Sequence, residues 1–218
     1  MAMKLSCVLR PRKMRNCFCP PIPDVQEAAC LLDAAVTAHL NGRRDLASEL
    51  IQLANMRSIW EWTDSLWGKS SPYIQYHPVV DALPVLPKDK RVKVRMPTLA
   101  EQKQIHDRDG FYCRFCEMPV IRKEIRVKMQ AAYPEALSWG RTNDSQHAAF
   151  QAMWAQYDHI VPHARGGNND LSNIVLTCAP CNFGRMNYTL DEVAVSDPRS
   201  RSPRIGSWDG LERFSLAI

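Results

Sequence analysis

Apolar residues recur at helical spacing at Val25, Ala28, Leu32, Ala35, Val36 and Leu40, which predicts an amphipathic helix. Asp24 with Glu27 has the form of its start, a capping side chain followed three residues later by an acid, and Asn41-Gly42 supplies a stop. A second helical stretch opens near Arg44, carries Leu46, Leu50, Leu53 and Ala54 on one face, and runs toward Trp60, Trp62 and Trp67. Two helices joined by a short turn predict a helical hairpin. Helical periodicity then lapses. Pro72, Pro78, Pro84, Pro87 and Pro97 punctuate the chain, and Lys90–Arg95 alternates polar with apolar residues, as a short edge strand does. Thr98 and Glu101 form a second capping pair, opening a helix that ends near Asp109-Gly110. Residues 122–132 and 144–156 also read as helices, and Trp208–Phe214 is expected to pack back onto the rest.

The chain has 218 residues, 45% of them hydrophobic and 23% charged, which is enough to bury a sizeable core. A net charge of +5 is compatible with a polyanionic partner but decides little alone. No apolar run approaches the roughly 18 residues that cross a bilayer, so no membrane role is expected. The basic start, with Lys4, Arg10, Arg12, Lys13 and Arg15, lacks the apolar stretch of an export signal. It reads as a solvated tail in a cytoplasmic protein.

Cysteine changes this picture. Of eight, Cys7, Cys17, Cys19 and Cys30 are irregularly spaced and read as free thiols or, less simply, a second metal site. Cys113-x-x-Cys116 and Cys178-x-x-Cys181 are two knuckles. In a reducing compartment such pairs point to metal rather than disulfide. Four thiolates suit a closed tetrahedral Zn²⁺ site, which supports folding and leaves no position open for chemistry. About sixty residues separate the knuckles, more than a short zinc ribbon needs. Something is mounted between them.

The mounted segment reads Asp158-His159-Ile-Val-Pro-His163-Ala-Arg-Gly166-Gly167, then Asn173 before an apolar strand, then Cys178-Ala-Pro-Cys181-Asn182-Phe-Gly-Arg185. It resembles the HNH endonuclease family, in which a two-stranded hairpin followed by a helix grips one divalent metal. The resemblance covers roughly residues 98–195. It implies that Asp158 and Asn182 are ligands to Mg²⁺ or Mn²⁺ and that His159 is the general base. Asn173 would hold the loop that aims His159. Arg185 stands where many members carry lysine, and would touch the scissile phosphate or its neighbour. His163, on the loop entering the turn, is a further candidate. The chemistry asks for such groups in any case. A carboxylate and an amide are hard oxygen donors that leave room for water and phosphate around a hard cation. An imidazole of reference pKa about 6.5 is mostly neutral at pH 7 and can accept a proton.

The resulting expectation is an α+β protein: a basic flexible tail over 1–23, a helical N-terminal region over 24–83, a linker over 84–97, and an HNH ββα-metal domain over 98–218 with a helical insertion at 117–157. The expected activity is phosphodiester hydrolysis in DNA. A nuclease subunit of a larger restriction or anti-phage assembly is a second reading, and a non-catalytic zinc-stabilised nucleic-acid-binding module a third. In the insertion, Arg122, Lys123, Arg126 and Lys128 would either contact a nucleic-acid backbone or belong to a helix that merely covers the hairpin. The N-terminal helices would supply a protein partner surface or a homodimer contact, and residues 88–218 would fold alone.

Overall fold

In the computed structural model, which describes residues 13–67, 70–93 and 96–217, helix α1 spans Pro23–Leu40. It starts on proline geometry and not on a side-chain cap. Ile22 is extended and Pro23 fills the first turn, where a missing N–H costs nothing. Asp24, expected as the cap, lies inside that turn and accepts a hydrogen bond from Ser58 Oγ. The helix closes as Asn41 returns both its backbone N–H and its Nδ2 to the Thr37 carbonyl, and Gly42 takes φ +72°. Helix α2, Arg44–Leu53, folds back on α1, so the hairpin is present. Helix α3, Arg57–Ser65, carries Ser58 and the first tryptophans.

Helix α4, Leu99–Asp109, has the reciprocal capping box: Glu101 accepts from the Thr98 N–H at 2.6 Å and its own N–H donates to Thr98 Oγ1 at 3.3 Å. Asp109 then accepts from the Leu176 N–H at 3.0 Å, tying the helix end to the sheet. Helix α5 spans Lys123–Ala132. The helix expected over 144–156 is a five-residue α6, Ala148–Ala152, because Ala155 onward pairs as a strand. Strand β1, Ala155–His159, runs antiparallel to β2, Ile174–Cys178, from Ala155 opposite Cys178 to His159 opposite Ile174. Helix α7, Ala179–Arg185, leaves β2 directly. The mixed fold, with a helical N-terminal region and a small antiparallel hairpin, is as expected.

Further expectations change. Lys88–Lys90 is a 3₁₀ turn and the described part of 90–95 is not a strand; Val94 and Arg95 lie outside the described residues, as do Cys7, Lys4, Arg10 and Arg12. Trp62 is buried, and Trp60 and Trp67 pack against the same core. Finally, the proline-rich stretch is not a connector that few contacts cross. One hydrophobic core runs from Leu32, Ile51 and Ile59 through Met129 and Phe150 to Ile174. His147 Nε2 bonds the Ile51 carbonyl at 2.8 Å, and Asn55 Oδ1 accepts from the Ala148 N–H at 2.7 Å. The C-terminal stretch does pack back: Phe214 lies against His39 with ring centroids 4.4 Å apart, and Trp208 Nε1 donates to the Val120 carbonyl. Among the described residues no helix is long and apolar enough to cross a membrane.

Candidate active site and metal centre

The hairpin and α7 form a strand–turn–strand–helix unit whose geometry follows from two periods. Residues 156 and 158 of β1 share a face, while residues 182 and 185 of α7 lie about one turn apart. These pairs meet. Asn182 Nδ2 donates to Gln156 Oε1 at 3.3 Å, and Arg185 Nε donates to Asp158 Oδ2 at 2.7 Å. Asp158, His159, His163 and Asn182 all line one cleft of about 510 Å³, with Gln156, Tyr157, Trp154 and Phe183 on its walls. The structure thus brings together the two expected divalent ligands and the expected base.

The turn between the strands needs both of its glycines. Gly166 has φ +90°, a region most side chains avoid. A Cβ on Gly167 would stand 1.8 Å from the Val161 carbonyl oxygen, so any side chain there breaks the loop. Asn173 closes that loop from the other side. Its Oδ1 accepts from the Val161 N–H at 2.9 Å and its Nδ2 donates to the Asn168 carbonyl at 2.9 Å.

His159 is 5% exposed. Its Nε2 lies 2.8 Å from Asn169 Oδ1. Burial lowers its pKa below the ordinary histidine value, against the raising effects of the Asn169 hydrogen bond and the Asp158 charge. At pH 7 the ring is therefore neutral and able to accept a proton. His163 Nε2 is occupied by the Val92 carbonyl at 2.7 Å, and its ring centroid is 6.0 Å from that of His159.

Arg185 departs from the expectation of a phosphate contact. It is 1% exposed and does not line the cleft. Its guanidinium grips both carboxylate oxygens of Asp158 and donates to the carbonyls of His159, Ile160 and Tyr188. No donor is left for a substrate to use from the cleft.

Leu83 and the segment expected as a linker lie across the turn between β1 and β2. The Leu86 N–H donates to the Ala164 carbonyl at 2.8 Å, Arg165 donates to the Leu83 carbonyl, and Asn169 Nδ2 donates to the Met96 carbonyl at 3.3 Å. Arg91 and Met96 from this strap reach the cleft. Gln156, Asn169, Trp154, Phe183 and Arg91 were not singled out from the sequence. Only Gln156 carried a usable signal, two residues before Asp158 on a strand.

The four knuckle cysteines converge. Their sulfurs lie within 4.8 Å of one another, with Cys116 and Cys178 at 3.6 Å. A tetrahedron with Zn–S of about 2.3 Å has edges of about 3.8 Å, so the cluster fits that ion. All four are free thiols. Burial opposes ionisation of Cys113, but hydrogen bonds from the Cys116, Cys178 and Cys181 thiols carry its pKa well below the ordinary thiol value. The first knuckle reaches the second through backbone: the Arg114 N–H donates to the Leu176 carbonyl at 2.8 Å. For the divalent site, the fit rests on donor chemistry. Asp158, Asn182 and Gln156 offer hard oxygen atoms at one cleft, as Mg²⁺ or Mn²⁺ requires.

The sequence model of the HNH endonuclease family matches residues 148–196. The match takes in the hairpin, α7 and the second knuckle, and leaves the first knuckle and the N-terminal helices outside. No curated protein and no solved structure matches the chain.

Proposed function

We propose, from an HNH endonuclease-type segment at residues 148–196, that this protein is a metal-dependent nuclease that hydrolyses phosphodiester bonds in DNA. The observation that carries the reading is the convergence of Asp158, His159 and Asn182 on one cleft. Asp158 and Asn182 would hold Mg²⁺ or Mn²⁺, and that ion, when bound, supplies positive charge against the phosphate oxygens. His159 takes a proton from the attacking water, a role typically worth about 10²–10⁴ in rate. Asn173 holds the loop that follows His159 and carries His163 and Asn169, and so helps to aim His159. Arg185 keeps the Asp158 carboxylate in place. Cys113, Cys116, Cys178 and Cys181 would bind Zn²⁺ as a closed structural site, and a reducing cytoplasm keeps these thiols available.

The test is supercoiled plasmid incubated with Mg²⁺ or Mn²⁺, beside the same reaction with His159→Ala. Wild-type protein should nick or linearise the plasmid only with the divalent ion. The His159→Ala protein should bind DNA and leave it intact. Metal-dependent cutting at the wild-type rate by His159→Ala would overturn the assignment of the base, and no cutting by wild type with either ion would overturn the nuclease reading.

A further inference from the structure

A base is useful only if the nitrogen facing its proton source is the unprotonated one. A neutral imidazole has one N–H and one lone pair, and the partner of one nitrogen decides which is which. The partner here is Asn169, at 2.8 Å from His159 Nε2. The orientation of its amide follows from its other contact, since Asn169 Nδ2 donates to the Met96 carbonyl at 3.3 Å. The oxygen must then face the imidazole. An amide oxygen only accepts, so Nε2 carries the proton and Nδ1 holds the lone pair. From these two bonds we propose that Asn169 is a positioning residue that locks His159 in the Nε2–H tautomer and makes Nδ1 the proton acceptor. This rests on the reading of His159 as the base.

The turn thereby divides its work between two asparagines. Asn173 is buried and bonds only backbone, at Val161 and Asn168, so it shapes the loop. Asn169 is half-buried and bonds a ring nitrogen. Strand pairing of His159 with Ile174 fixes the backbone at the end of β1, but leaves the ring free to turn about its side-chain bonds. The Asn169 contact removes that freedom. The Met96 carbonyl belongs to the strap across the loop, so the strap holds the amide that holds the ring.

Asn169→Leu keeps the side chain's approximate shape and removes the acceptor, whereas Asn169→Asp keeps an acceptor toward Nε2. The full-length protein, labelled with ¹⁵N-histidine, would be compared at neutral pH by long-range ¹H–¹⁵N spectra, with the His159 signals identified by their loss in His159→Gln. Wild type and Asn169→Asp should show the Nε2–H form, and Asn169→Leu a mixture of tautomers. In Mg²⁺-dependent cleavage, Asn169→Leu should lower kcat about 10–100-fold, the size of effect seen for partners that orient metal-bound histidines from behind, with KM unchanged. Asn169→Asp should recover most of that loss. Wild-type kcat in Asn169→Leu, or a fallen kcat with the Nε2–H form intact, would overturn the proposal. The tautomer readout does not depend on cleavage. A tautomer locked in wild type and lost in Asn169→Leu, in a protein whose His159→Ala variant still cuts, would leave the lock standing and remove its catalytic purpose.

Discussion

Asp158 and Arg185 are 27 residues apart in the chain, yet their side chains form a two-pronged ion pair that is almost wholly buried. The pair has two consequences. It holds the carboxylate in one orientation, and it cancels the charge that would draw a cation into the cleft. Divalent affinity should then be modest until phosphate oxygens add their own charge. Removing one partner of a buried pair leaves the other uncompensated, at a typical cost of about 3–5 kcal/mol. Arg185→Met should therefore destabilise the fold by about that much, while Arg185→Lys, which keeps the charge but loses the planar fork, should cost less. Chemical denaturation of both variants beside wild type checks this, and a wild-type midpoint in Arg185→Met would contradict it. At this scale the sequence was most legible where chemistry is dense along the chain. Asp158-His159 and Cys178-x-x-Cys181-Asn182 are recognisable because each motif's neighbours are its spatial neighbours. The partner of Arg185 was not legible, since it depends on how a strand face meets a helix face. Asn169 was hidden for a similar reason, because an asparagine in an Asn-Asn-Asp turn usually serves only the turn.

The hairpin has two strands of five residues each, and an isolated pair of that size is marginal in water. The cysteine cluster is placed to staple it. Cys178 ends β2, Cys181 lies in α7, and Cys113 and Cys116 belong to a turn closed by the Cys113 N–H to Met118 carbonyl bond at 2.9 Å. An ion held by all four joins β2, α7 and the first knuckle at one point. Elemental analysis of the purified protein should therefore find one zinc per chain. Cys113→Ala and Cys181→Ala should each lose zinc and most of the near-ultraviolet circular dichroism, because binding and folding are coupled at structural sites. Well-folded protein without zinc would defeat this expectation. Element boundaries followed the sequence where a local signal decides them, as at the Thr98–Glu101 cap. They departed where pairing decides. Residues 153–156 continue an apolar helical pattern, but the pairing of Ala155 with Cys178 and Gln156 with Thr177 claims 155 and 156 for the strand, and the helix stops at Ala152. The polar–apolar alternation around Lys90 found no partner strand among the described residues and became a turn.

Proline in a sequence marks where helices stop, which is why residues 84–97 read as a boundary; where a domain stops is set by what the helices on either side bury. Here α3 packs on α6 and α1 on the C-terminal turn, and Ile51, Ile59, Ala149 and Phe150 are within 1% of fully buried in one core. Each large apolar side chain so buried contributes about 1.5–3 kcal/mol, against a net stability of only about 5–15 kcal/mol for a typical protein. Removing residues 1–87 would uncover the apolar side of α6 and leave the His147 imidazole without the Ile51 carbonyl. It would also free the Phe214 ring from His39 and the Arg213 guanidinium from Asp33. The four-cysteine site cannot offset this, because it staples β2 to the first knuckle and does not touch that face. Residues 88–218 produced alone with zinc should be aggregated or lack cooperative unfolding, and supplying residues 1–87 as a separate chain should restore a soluble complex. A fragment 88–218 that stays monomeric, binds zinc and unfolds cooperatively near the full chain's midpoint would show that the hairpin unit needs no helical support. The helices would then be free for the partner contact that their sequence pattern suggested.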